Sequence, residues 1–139
     1  IRLSLVGSEM CIRDSLNMYA FLDRFFFVFH GFIVVFILFG WTWRKTRAAN
    51  LAVILLTAFS WTVLGIWYGF GYCFCTDWHY RVRMKLGYSD MPSSYVKFLL
   101  DSLLGTDINP ELVDAFTLVL FICAFTASVY RNVITRPRR

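Results

Sequence analysis

Three long stretches of the chain contain no charged side chain, and the polar residues are gathered between them. The stretches are 25–43 with 19 residues, 51–74 with 24 and 115–130 with 16. At 1.5 Å per residue, helices over the first two would span roughly 28 and 36 Å, enough for a hydrocarbon core of about 30 Å. The third stretch reaches a similar length once Leu112 and Val113 are included. The pattern therefore predicts three transmembrane helices, at about residues 18–43, 51–74 and 112–131.

The polar, aromatic-rich connection at 75–111 contains one further predicted helix. Across 93–104 the apolar residues recur at helical spacing, with Lys97 and Asp101 paired at i,i+4 on the other face. These 12 residues are too few to cross a bilayer, so the helix should lie along the outer interface or fold back onto the bundle. The predicted fold class is all-α, an integral membrane bundle of three transmembrane helices plus one short interfacial helix.

The composition agrees with a membrane protein. Hydrophobic residues make up 58% of the chain and charged residues 17%, with a mean hydropathy of +0.58. A soluble domain has about 45–50% apolar and about 25% charged residues. The net charge of +5 would suggest nucleic acid in a soluble protein. Because the basic residues cluster at helix ends, the predicted partner is the lipid bilayer with its anionic headgroups, and no nucleic acid.

The first residues are interpreted separately from the rest. The string from Val6 to Ser15 resembles a translated sequencing-adapter artefact, and it lacks the apolar core of a secretory signal peptide. We therefore expect residues 1–15 to be an artefactual leader, with Met18 as the candidate true start. Residues 16–139 should form a single membrane domain.

His30 is an ionisable residue inside the first predicted transmembrane helix. Such a group is costly in a membrane and usually faces the interior of the helix bundle. It could be a metal or haem ligand, a proton-handling group, or a neutral histidine bonded to a hydroxyl or carbonyl group of helix two. The expected partners are Tyr68, Tyr72, Cys75 and Asp114.

The segment 73–79 contains the densest set of side chains that bind metals. Thiolate and imidazole groups suit zinc or copper, but C-x-C-x-x-x-H is not one of the strong paired spacings. A structural turn at the helix end, or oxidation of the thiols, would also account for this set of residues. His30, Asp23, Arg24 and Asp114 are predicted at the same level of the membrane. The candidate metal ligands are His30, Cys73, Cys75, Asp77 and His79, with His30 and Cys75 also the candidate cofactor ligands.

Several residue strings point to a family. In chain order they are Leu22-Asp23, His30, Phe36, Gly40, Trp61, the string from Gly71 to His79, Leu86-Gly87-Tyr88 and the string from Ser94 to Leu99. Together they resemble a family of small bacterial inner-membrane proteins catalogued as a domain of unknown function. That family is marked by a helix-one histidine and a Cys-Pro-Leu-Thr motif after helix two. Only Cys75 and Thr76 match the motif here, and the acidic residue that follows it in the family corresponds to Asp77 or has no counterpart. The resemblance implies a membrane topology and no activity.

No catalytic residue or enzymatic activity is predicted. The sequence favours a non-enzymatic accessory or structural protein that acts through protein and lipid contacts, alone, as a homo-oligomer or in a larger membrane complex. Gly65 with Gly69 and Ala124 with Ser128 show small-x-x-x-small spacing, which serves either packing within the bundle or a homodimer face. The alternative is a redox-related protein that binds metal or haem through His30 with Cys75, Asp77 or His79. A transporter is a third hypothesis and would need an oligomer.

The distribution of basic residues predicts the orientation. Arg44, Lys45 and Arg47 follow helix one, and four arginines lie in the tail, whereas the connection 75–111 carries four basic and five acidic residues. The positive-inside rule places the N-terminus outside and the C-terminus in the cytoplasm. Reporter fusions after Lys45 and after Arg139 should report the cytoplasm, and a fusion near Ser89 the outside. A cytoplasmic signal at Ser89 would overturn this orientation.

Overall fold

The chain is described by a computed structural model over residues 2–69, 71–92, 94–105 and 107–134, with side chains from residue 13 onward. Every regular element in these ranges is helical, which confirms the all-α prediction. The elements are α1 (Arg2–Phe39), α2 (Arg47–Phe59), a π-helical turn (Ser60–Leu64), α3 (Gly65–Tyr68), α4 (Phe74–Lys85), α5 (Tyr95–Leu104), α6 (Pro110–Val129) and a second π-helical turn (Tyr130–Ile134).

Three helical stretches are long and apolar enough to cross a membrane. They are Arg13–Phe39, Arg47–Tyr68 and Pro110–Ile134, with hydropathies of 2.1, 1.9 and 2.2. Large apolar side chains point outward along all three, among them Val28, Leu56 and Phe116. An outward apolar surface is what contact with lipid tails requires. The fold is therefore an integral membrane bundle of three transmembrane helices.

The three spans pack around a small apolar core. Ile37 of α1, Ile54 of α2 and Ala124 of α6 are buried together. Ser128, one turn beyond Ala124, is fully buried as well. Ala124 and Ser128 are thus used for packing within the bundle, because small side chains allow close approach of helix backbones. Gly69, by contrast, follows the last residue of α3 and has a φ of 99°, so Gly65 and Gly69 do not form a continuous helical face.

The turn between the first two spans is held by a buried amide. Asn50 is fully buried and donates from Nδ2 to the carbonyl oxygen of Phe36 at 2.7 Å. The Phe36 carbonyl oxygen also accepts from the Gly40 backbone N–H at 2.8 Å, and Asn50 Nδ2 lies 3.4 Å from the carbonyl oxygen of Ile37, near the end of α1 where helices leave carbonyls without intrahelical partners. Gly40 lies directly against the Asn50 amide: a Cβ there would be 2.9 Å from Asn50 Nδ2 and 2.6 Å from the Phe36 carbonyl oxygen. The close approach of α1 and α2 therefore depends on glycine at position 40.

The observed helix bounds differ from the expected ones at several ends. α1 ends at Phe39, whereas the sequence predicted an end at residue 43. α2 begins at Arg47, whereas the sequence predicted a start at residue 51. The second span ends before Gly69, whose positive φ interrupts the helix. The backbone of α1 is helical from Arg2. The assignment of residues 1–15 as a leader stays a prediction.

The connection 75–111 contains a helix that the sequence analysis missed. α4 covers Phe74–Lys85, where basic and bulky residues alternate without clear apolar periodicity. The periodicity is hidden because the buried side of α4 carries polar residues: His79 is fully buried, and Arg83 follows it at i+4 with its side chain only 15% exposed. α4 packs against α1.

The short predicted helix is present as α5 and folds back onto the bundle. Tyr95, Phe98 and Leu99 are buried and pack against Phe27 and Val34 of α1 and Tyr80 of α4. A helix of 10 residues with one apolar face gains stability by burying that face on its neighbours.

Lys97 and Asp101 pair as predicted, at 2.7 Å, but Lys97 is buried rather than on an exposed face. Its Nζ also donates to Asp107 Oδ1 at 2.6 Å and to the Ile108 carbonyl oxygen at 2.8 Å. The ammonium group therefore holds the turn that leads from α5 into α6. The hydrogen bonds to Asp101 and Asp107 raise the pKa of Lys97, and the bond from Lys97 lowers the pKa of Asp101.

Replacing Gly40 by alanine should destabilise the bundle. The added methyl group would overlap Asn50 Nδ2 and the Phe36 carbonyl oxygen, at a cost of about 1–3 kcal/mol for overpacking. Gly31→Ala is the matched control, because a Cβ at Gly31 has only Leu99 Cδ2 nearby, at 4.0 Å. Thermal unfolding in detergent should show a lower midpoint for Gly40→Ala alone. Equal midpoints for the two variants would contradict the close approach at Gly40.

Candidate functional site

A buried polar centre joins α1, α4 and α5 at one end of the bundle. His79 of α4 is fully buried, and both of its ring nitrogens are hydrogen-bonded. Nε2 lies 2.8 Å from Asp23 Oδ1 on α1, and Nδ1 lies 3.0 Å from the Tyr95 hydroxyl on α5. The imidazole ring also stacks on Phe26 with centroids 5.7 Å apart. One histidine therefore connects three helices that are distant in the sequence.

Arg83 adds a second cation to the same carboxylate. Its Nη1 donates to Asp23 Oδ1 at 3.2 Å, one helical turn beyond His79. The guanidinium carbon lies 4.2 Å from the Tyr88 ring centroid and 4.7 Å from that of Phe98. The attraction between a guanidinium group and an aromatic ring is stronger where part of the surrounding water has been removed. Asp23 and Arg83 thus form an ion pair that is shielded by aromatic side chains.

The hydrogen bonds restrict the protonation states of His79. Because Asp23 is an acceptor when ionised, Nε2 carries a proton. The Tyr95 hydroxyl has a single proton and two acceptors within reach, His79 Nδ1 at 3.0 Å and the Phe26 carbonyl oxygen at 3.3 Å. A neutral His79 accepts a hydrogen bond from the Tyr95 hydroxyl at Nδ1. A protonated His79 instead donates a hydrogen bond from Nδ1 to the Tyr95 oxygen, and the Tyr95 hydroxyl then donates to the Phe26 carbonyl oxygen. The centre can therefore hydrogen-bond either form of the ring.

Burial decides which form prevails. Burial lowers the pKa of His79 below its usual value of 6.5, and the Asp23 carboxylate opposes part of this shift. Burial also raises the pKa of Tyr95, so its hydroxyl stays protonated. At neutral pH the His79 ring in this centre is therefore neutral.

His30 lies next to this centre and makes a different contact from the expected one. Its ring stacks on Tyr95 with centroids 3.8 Å apart. Its Nδ1 is buried and has no hydrogen-bond partner among the described residues. The expected partners Tyr68, Tyr72, Cys75 and Asp114 make no described contact with it; Tyr68 and Tyr72 stack on each other instead. The back-folding of α5 explains the difference, because it places Tyr95 where helix two was expected.

The other candidate metal ligands are arranged around the start of α4. Cys73 is the N-cap residue, Cys75 and Asp77 lie in the first turn, and Asp77 pairs with Arg81 at 2.9 Å. A hydrogen bond from the Cys75 side chain lowers the pKa of Cys73 to about 6, and the same bond raises the pKa of Cys75. His79 faces Asp23 instead of this group.

Within the described residues, no group of three or more His, Cys, Asp or Glu side chains is arranged to hold a metal ion. The structure thus brings His79 together with Asp23 and places His30 beside their partner Tyr95. Cys73, Cys75 and Asp77 do not join either histidine in a group of three or more potential metal ligands within the described residues. The assignment of these five residues as metal ligands remains a hypothesis.

Sequence reasoning missed Arg83 and Tyr95, the other two members of the centre. A signal for Arg83 was present, because His79 and Arg83 are four residues apart and would share one face of a helix. Tyr95 had no such signal, since its role depends on how α5 folds back. Asp23 was predicted to lie at the same level of the membrane as His30, with no contact to a histidine predicted.

The fold and the centre define a small helical membrane protein with a buried His–Asp–Arg–Tyr network at one end. The chain belongs to a family described as Protein of Unknown function (DUF2784), whose model matches residues 20–133. This range includes all the members of the centre. No curated protein and no solved structure matches the chain.

The buried His79 predicts a loss of stability in acid. Because the folded pKa lies below the unfolded value of about 6.5, the unfolded chain binds more protons as the pH falls below that value. The contribution of neutral His79 is thus complete above about pH 6.5 and is lost as the pH falls towards the folded pKa. Unfolding in detergent at several pH values should show this decline.

The His79→Gln variant tests the assignment. It should be less stable than the wild type at neutral pH, by about 1–3 kcal/mol, because Asp23 and Tyr95 lose a buried partner. Its stability should also depend less on pH between about pH 5 and 7, where histidine titrates. An unchanged pH dependence in this variant would assign the titration to another group.

Proposed function

We propose that this protein is a non-enzymatic accessory or structural component of a bacterial inner membrane, with its N-terminus outside and its C-terminus in the cytoplasm. It acts through contacts of its outer surface with lipid and with other membrane proteins. The observation that carries the proposal is the use of the buried polar groups. Asp23, His79, Arg83 and Tyr95 bond to one another and join helices, while large apolar side chains are directed outward.

Contacts at the opposite end of the bundle support the orientation. Asn132, just after α6, donates from Nδ2 to the Arg47 carbonyl oxygen at 3.1 Å. Arg47, in the basic turn between the first two spans, and Arg131, next to Asn132, therefore lie on the same side. Two cationic segments at one end are what the positive-inside rule requires of a cytoplasmic face. The His79 centre would then lie towards the outer side.

The alternative function, metal or haem binding, is supported by one observation. His30 Nδ1 is buried without a partner among the described residues, and a buried polar atom of this kind usually has a ligand, water or protein partner. Such a ligand would have to be held by His30 with groups other than His79, because both ring nitrogens of His79 are already used.

Metal and haem analysis of protein purified from membranes distinguishes the two functions. We expect elemental analysis to give metal well below one equivalent per chain, and the optical spectrum to lack a haem band. A stoichiometric metal or haem that disappears in His30→Ala, and persists in the control variant Asp90→Asn, would overturn the proposal. Asp90 is a suitable control because it is exposed and is not one of the candidate ligands. His30→Ala should otherwise lower only the thermal stability, through loss of the stack on Tyr95.

A further inference from the structure

Two thiols lie side by side where α4 begins. Cys73 is the N-cap residue of α4 and has an extended backbone, with a φ of −132° and a ψ of 122°. Cys75 lies two residues later, in the first helical turn, and its side chain hydrogen-bonds to that of Cys73. Both residues are free cysteines and both are partly exposed. They therefore form a dithiol pair that a reagent outside the protein can reach.

The backbone on either side of this pair is held by hydrogen bonds. Towards the second span, Ser60 donates from Oγ to the carbonyl oxygen of Tyr72 at 2.8 Å, directly before Cys73. Within α4, the backbone N–H of Asp77 donates to the Cys73 carbonyl oxygen at 3.1 Å. The approach of the two thiols is therefore set by the fold and needs no bound ligand.

The two thiols are chemically unequal. Cys73 lies at the N-terminal end of a helix of 12 residues, where the partial positive charge of the helix favours a thiolate. The hydrogen bond from Cys75 lowers the pKa of Cys73 to about 6, and the same bond raises the pKa of Cys75. The thiolate is the form of cysteine that attacks a disulfide. Position and hydrogen bonding thus make Cys73 the attacking thiol and leave Cys75 beside it as the second thiol.

We propose that Cys73 and Cys75 form a thiol–disulfide exchange site, in which Cys73 attacks an external disulfide and Cys75 resolves the product. In the first step, the Cys73 sulfur bonds to one sulfur of the disulfide, and the other sulfur leaves as a thiolate. In the second step, Cys75 gives its proton to solvent and attacks the Cys73 sulfur, which releases the remaining half of the disulfide as a thiolate.

The electrons of the two steps balance without a further reactant. The two protein thiols lose two electrons and become a Cys73–Cys75 disulfide, and the external disulfide gains them and becomes two thiols. The same steps in reverse, started by an external dithiol, restore the reduced pair. The site is therefore a reversible covalent switch between a dithiol and a disulfide.

The location of the pair suits this chemistry. The second span begins at Arg47, beside Asn132, and ends at Tyr68, so the thiols lie at the opposite end of the bundle from that contact. The proposed orientation places this end outside, in a compartment where disulfides form and persist. The inference goes beyond the proposed function, because it adds a covalent reaction to a protein that acts by contact. The reaction itself does not depend on the orientation, so either can fail without the other.

Reaction with glutathione disulfide tests the site in the full-length chain in detergent. Cys11 and Cys123 are replaced by serine, so that the pair is studied alone. This background variant should release two equivalents of glutathione per chain, and its intact mass should show the loss of two hydrogens. Cys75→Ser in the same background should stop at a stable mixed disulfide on Cys73, which retains one glutathione per chain.

Cys73→Ser is the matched control for Cys75→Ser. It should react more than about tenfold more slowly, because Cys75 is not the activated thiol. Serine is a favourable N-cap residue, so this variant is expected to fold. After unfolding in guanidinium, the two single variants should react at similar rates, since the difference depends on the folded start of α4.

Three results would overturn the proposal. The first is an equal reaction rate of the two single variants in the folded protein. The second is a mixed disulfide on the background variant that persists without release of the second glutathione. The third is a folded protein that does not react at all under conditions where the unfolded chain does, because the thiols would then be inaccessible.

Discussion

The Asp23 carboxylate is the group on which the arrangement of one end of the molecule depends. It accepts hydrogen bonds from His79 at 2.8 Å and from Arg83 at 3.2 Å, so it holds α4 against α1. Through His79 it also fixes Tyr95, and with Tyr95 the buried face of α5. Arg83 and Asp23 are partly buried, with side chains 15% and 23% exposed, so removing one partner would leave the other charge incompletely compensated. These helices are therefore committed to each other by a few polar contacts.

The opposite end of the bundle uses a different solution. Here Asn50, Gly40 and the Phe36 carbonyl oxygen form a tight neutral joint between the first two spans. A neutral amide suits this position because it satisfies helix-end carbonyls without placing a charge near the apolar core. Between the two ends the spans are held by a small core of Ile37, Ile54 and Ala124. With so small a core, the stability of the bundle depends strongly on its polar joints.

The polar groups inside and the aromatic groups outside suggest a division of roles. Charged and hydrogen-bonding side chains join the helices to one another, and the surface left over is largely phenylalanine, leucine, isoleucine and valine. In lipid such a surface gains little from association by hydrophobicity alone, so shape decides whether two helices pair.

The amino-acid sequence by itself determined the number of spans, the fold class, the family and a short helix predicted at 93–104, which the structure has at Tyr95–Leu104. These follow from the lengths of uncharged runs and from residue spacing, which act locally and survive any arrangement of the helices. It also singled out His30 as an ionisable residue inside a span and His79 as a candidate metal ligand. The tertiary structure alone decided their partners, because Asp23, His79 and Tyr95 lie on three helices and meet only when α4 and α5 fold onto α1. It likewise decided that Lys97 is buried and that α4 is a helix, since the inner face of α4 is polar and has no apolar period to read. Contacts between distant segments depend on how whole helices pack, and that information is absent from any single stretch of the chain.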